Sequence, residues 1–240
     1  MLPRSKTPAY IARHIRRVLQ DGASAPHAED VQRFFKEEIQ SRGWYTHELR
    51  KVAARFRRTI LREAGPDFLI RVADKLFQGR VLEEKVFAVF LLQGLVLGMG
   101  EAQFRLFERW LPRVSSWADH DGLVSYLIGP MMAAQPKRAA RVFVWARNRN
   151  RWYRRAAAVA LIRGARVGLF RREIVRLSGV LQSDQDDMVQ KGLGWLLREW
   201  AKFHPEAAVP YLMKTATLPR FVKRTACETL PAAVRRKVLY

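Results

Sequence analysis

Gln190-Lys191-Gly192-Leu193-Gly194-Trp195-Leu196-Leu197-Arg198-Glu199, read together with Trp200 just beyond it, is the stretch that decides the fold. Leu193, Leu196, Leu197 and Trp200 recur at i, i+3, i+4 and i+7, the spacing of one apolar face on an α-helix. Two further segments lie upstream at intervals of roughly 35 residues, a period that means stacked helical pairs. They are Trp152-Tyr153-Arg154-Arg155-Ala156 and Ser116-Trp117-Ala118-Asp119-His120-Asp121. Segments beginning near Glu83, Trp117, Trp152 and Asp187 share an apolar pattern, with second helices between them near 101–114, 136–149 and 169–182.

A single helical pair cannot cover its own apolar face, so such units must stack. The expected fold is therefore all-α: a single α-solenoid of HEAT-like helical repeats with a basic concave face. Residues 1–45 are expected to form N-terminal helices, 46–217 the repeats and 218–240 the C-terminal capping helices of one domain. Turn signals punctuate the chain at Asp21-Gly22, Arg42-Gly43, Gly65-Pro66, Gln78-Gly79, Gly98 to Gly100, Gly168 and His204-Pro205. No segment alternates as a half-buried strand would. Helix starts are expected at Thr46, at Ser116 with Asp119 three residues on, and at Ser183 with Asp186 three residues on. Pro66, Pro136 and Pro205 open others, where the missing N–H costs nothing.

Composition narrows the partners. Apolar residues make up 49% of the 240, with 13 Phe and 7 Trp, which excludes a disordered chain. Lys and Arg number 44 against 22 Asp and Glu, a net charge of +22. An excess of that size repels itself in a compact monomer unless a polyanion offsets it. Because the cations are spread along the chain, nucleic acid is expected rather than a membrane surface. Val86 to Leu97 is the most apolar run, but Gln93 interrupts it and it is too short to span a bilayer, so it reads as a buried helix. Cys227 stands alone and cannot form an internal disulfide, which fits a reducing, cytoplasmic setting. The basic N-terminus has no apolar stretch after it, so no secretory signal is expected. Five scattered histidines lack ligand spacing, so neither a metal nor any other cofactor is expected.

The candidate chemistry lies in the three segments. Trp195 points about 150° away from the centre of its own helix's apolar stripe, which leaves packing on a neighbouring helix or a ligand-facing platform. The stripe of the segment after Ser116 is Val124, Leu127, Ile128 and Met131. Trp117 falls inside it and is expected to pack in the core, whereas Asp121 sits about 70° from its centre, at an edge. Trp117 and Asp121 are i and i+4, close enough to act together. Asp121 alone is equally a capping or solvated acid. Arg147, Arg149, Arg151, Arg154 and Arg155 interleave with Trp152 and Tyr153, with no acid nearby in sequence. That pattern is either a phosphate-contacting patch or a solvated basic face.

These blocks resemble the AlkD-type DNA alkylation-repair proteins, bacterial HEAT-like-repeat glycosylases that remove alkylated purines. The run from Gln190 to Lys202 is similar to that family's Gln-Lys-Ala-Ile-Gly-Trp-Val-Leu-Arg-Glu-Tyr-Ala-Lys block. Ser116 to Leu123 resembles Trp-Trp-Asp-x-Val-Asp-x-Leu, and Trp152 to Ala157 resembles Trp-Leu-x-Arg-x-Ala. Gly43 to Arg50 is similar to the family's Gly-Ile-x-x-x-x-x-Arg. The resemblance implies that Asp121 is the catalytic aspartate, that Trp117 and Trp195 are its active-site tryptophans, and that Arg155 faces phosphate. It implies that Phe34 or Phe35 supplies an aromatic near the lesion. Arg149, Arg151 and Arg154 of the basic patch, and Lys191, are expected as further DNA contacts. The chain departs from the pattern at Ser116, which replaces a tryptophan, at Ala118, which replaces an acid, and at His120, which replaces an apolar residue.

The expected activity is hydrolysis of the N-glycosidic bond of cationic N3- and N7-alkylpurines in duplex DNA, by a monomer. The alternative is a non-catalytic relative that binds damaged or branched DNA.

Overall fold

The computed structural model describes residues 7–239, and every helix or strand assigned among them is helical; pairing of the β type is confined to one parallel bridge between Gln40 and Val81. The chain divides between Leu127 and Ile128 into two compact units.

The first unit opens with α1 (Pro8–Asp21). Pro8 takes the first helical position, the Thr7 hydroxyl accepts the Tyr10 N–H at 3.2 Å, and Ile11, Ile15 and Leu19 form its buried stripe. Ser24 caps the short α2 (Ala25–Gln32). The chain then turns at Gly43 (φ 73°) into α3 (Thr46–Phe77). Thr46 is the first residue of this helix rather than its cap; the cap is Tyr45, whose side chain accepts no hydrogen bond from the first turn. Gly65, at φ 77° and ψ 177°, breaks α3 just before Pro66, at the turn expected from sequence. The following helix, α4 (Leu82–Leu92), packs along α3 with Phe87, Ala88, Val89, Leu91 and Leu92 buried. The apolar run does not continue as one helix to Leu97. Gln93 and Gly94 (φ 85°) end it, and Leu97 is exposed on a 3₁₀ turn. Then comes α5 (Glu101–Trp110), where Trp110 stacks on Phe77 at 4.3 Å and donates its indole N–H to Asp74 at 2.8 Å. The unit closes with α6 (Trp117–Leu123) and a π-helical turn over Val124–Ile128.

The second unit contains α7 (Gly129–Ala134), α8 (Val142–Trp145), α9 (Arg151–Val159), α10 (Ile162–Ala165) and α11 (Arg171–Leu181). It continues through α12 (Asp187–Phe203), α13 (Pro205–Lys214), α14 (Arg220–Ala226) and α15 (Ala232–Leu239). Pro136 opens a 3₁₀ helix rather than an α-helix. The organising element is α12, packed against α9 and α14. Its stripe of Leu193, Leu196, Leu197 and Trp200 is buried, each side chain worth about 1.5–3 kcal/mol of apolar burial. Asp186, not Ser183, starts this helix: its carboxylate accepts the Met188 and Val189 N–H groups at 2.9 and 3.3 Å. The first helices of successive repeats begin at Leu82, Trp117, Arg151 and Asp187, so the 35-residue spacing read from the sequence is the spacing of the helices.

Candidate functional site

The Ser116–Asp119 capping box forms as the sequence requires, and a lysine from another helix locks it. Asp119 is fully buried; Oδ1 accepts the Ser116 N–H and hydroxyl, both at 2.8 Å, and Oδ2 accepts the Ser115 N–H at 2.9 Å. Lys85, buried on α4, brings its amine to 3.2 Å from Oδ2, 2.9 Å from the Ser115 hydroxyl and 2.6 Å from the Arg113 carbonyl. A charge removed from water is tolerated only when paired and fully hydrogen-bonded, and here both members are. The start of the seven-residue α6 is therefore held by chemistry rather than by helix length.

Trp117 is the first residue of α6, and its placement corrects the expectation of core packing: its side chain is 38% exposed. Position on the apolar stripe buries a residue only where a neighbour covers it, and in the first turn of α6 that cover reaches Asp119 and His120 but not Trp117. Its ring stacks on Phe35 with centroids 5.0 Å apart and planes 19° from parallel. Of the two candidate phenylalanines, Phe35 is the one brought to Trp117. Phe34 is 77% exposed. One turn along α6, Asp121 shares the Trp117 face as its i+4 neighbour and is partly exposed. His120, completely buried, places Nδ1 at 2.7 Å from Asp121 Oδ1. An ionised carboxylate only accepts, so this contact makes Nδ1–H the donor. The substituted histidine thus sets the orientation of the aspartate carboxylate.

The second unit carries the remaining candidates. Trp195 keeps part of its surface open, while Gly194 beside it lies so close to α14 that a Cβ would stand 3.0 Å from Thr225. Arg149 is exposed. The basic segment does have acidic partners, contrary to its sequence surroundings. Arg154 pairs with Asp184 at 2.6 Å and donates to the carbonyls of Asn148 and Arg149, and Arg151 pairs with Asp186 at 3.5 Å while lying over the Trp152 ring. Both acids come from the loop before α12, some 30 residues on. Lys191 pairs with Asp187 one turn earlier on α12. Arg155 is buried and donates to the Met188 carbonyl at 2.6 Å. Gly192 makes room for it, since a Cβ there would lie 3.2 Å from Arg155 Cγ. The chain has glycine at this point where the resembled block has alanine.

The sequence marked Asp119 as the partner of Ser116 at the helix start, but it did not reveal Lys85, buried on α4, as the cation that pairs with it. Among the described residues no cluster of three His, Cys, Asp or Glu side chains could hold a metal, and no helix is long and apolar enough to cross a membrane.

A solved structure described as a predicted DNA alkylation repair enzyme from Enterococcus faecalis is similar in fold, with a TM-score of 0.78. The two share 16% sequence identity over 88% of this chain and 97% of that one. No curated protein matches the chain. A family model described as DNA alkylation repair enzyme matches residues 15–230. With nearly its whole length matched, the chain belongs to the DNA alkylation repair enzyme family.

Proposed function

We propose that the protein is a DNA glycosylase that hydrolyses the N-glycosidic bond of N3- and N7-alkylpurines in duplex DNA, as a monomer and without a cofactor. The observation that carries this reading is the exposed Trp117–Phe35 stack sharing a face with Asp121, whose carboxylate is oriented by a buried histidine. Alkylation at N3 or N7 gives the purine a positive charge. When the bond to C1′ breaks, its electron pair goes to the base, which leaves neutral, so a general acid is not required. The charge left behind is on the sugar. An ionised Asp121 stabilises that oxocarbenium-like centre and orients water toward C1′; the water oxygen bonds to C1′ and its proton passes to the carboxylate or solvent. The Trp117 face favours the developing positive charge.

For Trp195 the reading rests on its sequence block, which implies a second aromatic surface. Exposed Arg149, with Arg151, Arg154 and Lys191, supplies cationic groups for phosphates, while buried Arg155 contributes positive potential behind them. The test is release of N7-methylguanine and N3-methyladenine from duplex DNA, with Asp121→Asn alongside. Oxyanion- and cation-stabilising groups of this kind are each worth about 10²–10³ in rate. Release should therefore fall by about that factor in the variant while DNA affinity holds. DNA binding with no release by the wild type would instead identify a binding-only member of the family.

A further inference from the structure

Half-buried arginines in this chain generally meet a carboxylate: Arg16 and Arg42 pair with Glu84, Arg154 with Asp184, and Arg151 with Asp186. Arg50 and Arg57 on α3 are half-buried too, yet no carboxylate pairs with either among the described residues. Neutral groups hold them instead. The Arg50 guanidinium lies 4.1 Å over the Phe90 ring and 5.5 Å from that of Tyr126, and it donates to the Gln93 side-chain oxygen. Arg57 donates to the Gln93 backbone carbonyl at 2.8 Å. Gln93 is the residue that ends α4, and the left-handed Gly94 after it turns the chain away. One residue thereby fixes both guanidiniums through two different oxygens.

Arg50, Ala54 and Arg57 lie at i, i+4 and i+7 on α3, and together with Phe90, Gln93 and Gly94 they line a cleft of about 280 Å³. No acidic group lines it. Each guanidinium commits one N–H direction to Gln93 and keeps the rest of its planar fork without an acceptor among the described residues. Two like charges held this way, partly desolvated, are a costly arrangement for an empty surface and a fitting one for an anion. A fork of N–H donors matches the tetrahedral oxygens of a phosphate, and aromatic stacking keeps that fork oriented in advance.

We propose that Arg50 and Arg57, clamped by Gln93, form a binding site for one phosphate group. The phosphate belongs either to a phosphodiester of bound DNA or to a small free phosphate compound. In the first case the site rests on the DNA-directed function proposed above and adds a backbone contact on α3, far in sequence from the arginines of α9.

The test measures affinity for an undamaged duplex against salt concentration, so it stands whether or not any base is released. Arg50→Met/Arg57→Gln is compared with Arg55→Gln/Arg58→Gln, which removes the same charge from exposed positions of the same helix. Arg57→Gln alone, which disturbs no ring contact, covers the possibility that the double variant misfolds, and circular dichroism checks all three. One phosphate contributes about 0.9 to the slope of log K against log salt. The site variant should therefore flatten the slope by about that much more than the control, with roughly tenfold weaker binding near physiological salt. If the slopes match but millimolar inorganic phosphate raises the melting temperature of the wild type and not of Arg57→Gln, the site holds and its ligand is a free phosphate. Matching slopes together with no phosphate-dependent shift would overturn the proposal.

Discussion

Lys85 shows how much one side chain can govern at the residue scale. Among the described residues its amine is the only positive charge bonded to buried Asp119, and Asp119 in turn fixes the start of the helix that presents Trp117 and Asp121. Lys85→Met should leave that carboxylate uncompensated and cost about 3–5 kcal/mol, read as a lower urea midpoint. His120 can be tested more gently. His120→Val removes the donor to Asp121 Oδ1, and a hydrogen bond to a charged group is worth about 1.5–3 kcal/mol. Single-turnover base release should drop at least about tenfold at unchanged DNA affinity, and His120→Asn, which can keep a donor at the same point, should recover part of it. Cys227 gives a pH prediction. Burial pushes its thiol above the ordinary value of 9.0, so the neutral thiol's contribution is complete at lower pH and is lost as pH rises through the elevated native value. At pH 8 the native protein should resist a thiol reagent that modifies it promptly in urea. At this scale sequence was a partial guide. It placed Asp121 at the edge of its stripe and marked His120 as unusual. It could not choose Phe35 over Phe34, because residues 33–45 have no helical period to orient them, nor foresee Asp184 and Asp186 beside the arginines, because that pairing is made by folding.

Among elements, the most legible features were those set by local chemistry. The stripe of α12 and the 35-residue rhythm of helix starts follow from side-chain spacing alone, and the Gly65-Pro66 break follows from backbone preference. Less legible were ends decided by contact. The apolar run after Val86 stops at Gln93 because that residue reaches across to α3, which no count of apolar positions reveals. The turn before α3 is similar. Gly43 has φ 73°, and a Cβ there would stand 2.1 Å from the Ser24 carbonyl oxygen and 2.5 Å from the Ala28 nitrogen, both backbone atoms that cannot rotate aside. Its own N–H bonds Glu83, a buried acid that also accepts from Ser41 and Arg42. Gly43→Ala should cost about 1–3 kcal/mol from the left-handed backbone alone, and the clash adds to it. Thermal melting would register it as a loss of several degrees, whereas an unchanged midpoint would mean that the turn can be rebuilt.

For the molecule as a whole, the net charge of +22 was plain from composition and remains the dominant long-range fact. Many of its acids are occupied internally, as Glu83, Glu84, Asp119 and Asp184 are, so they do little to quiet the surface. Moderate salt should therefore raise the melting temperature by screening self-repulsion while it weakens DNA binding, opposite trends that a pair of salt titrations would separate. The buried lock at Asp119 also leaves a signature in time. Ser115 and Ser116 belong to a connector, the kind of segment whose amide hydrogens normally trade with solvent quickly. Both point their N–H groups at a carboxylate sealed from water. Their deuterium uptake should be as slow as that of the helices on either side, so a bend in the chain will open only when the core around it does.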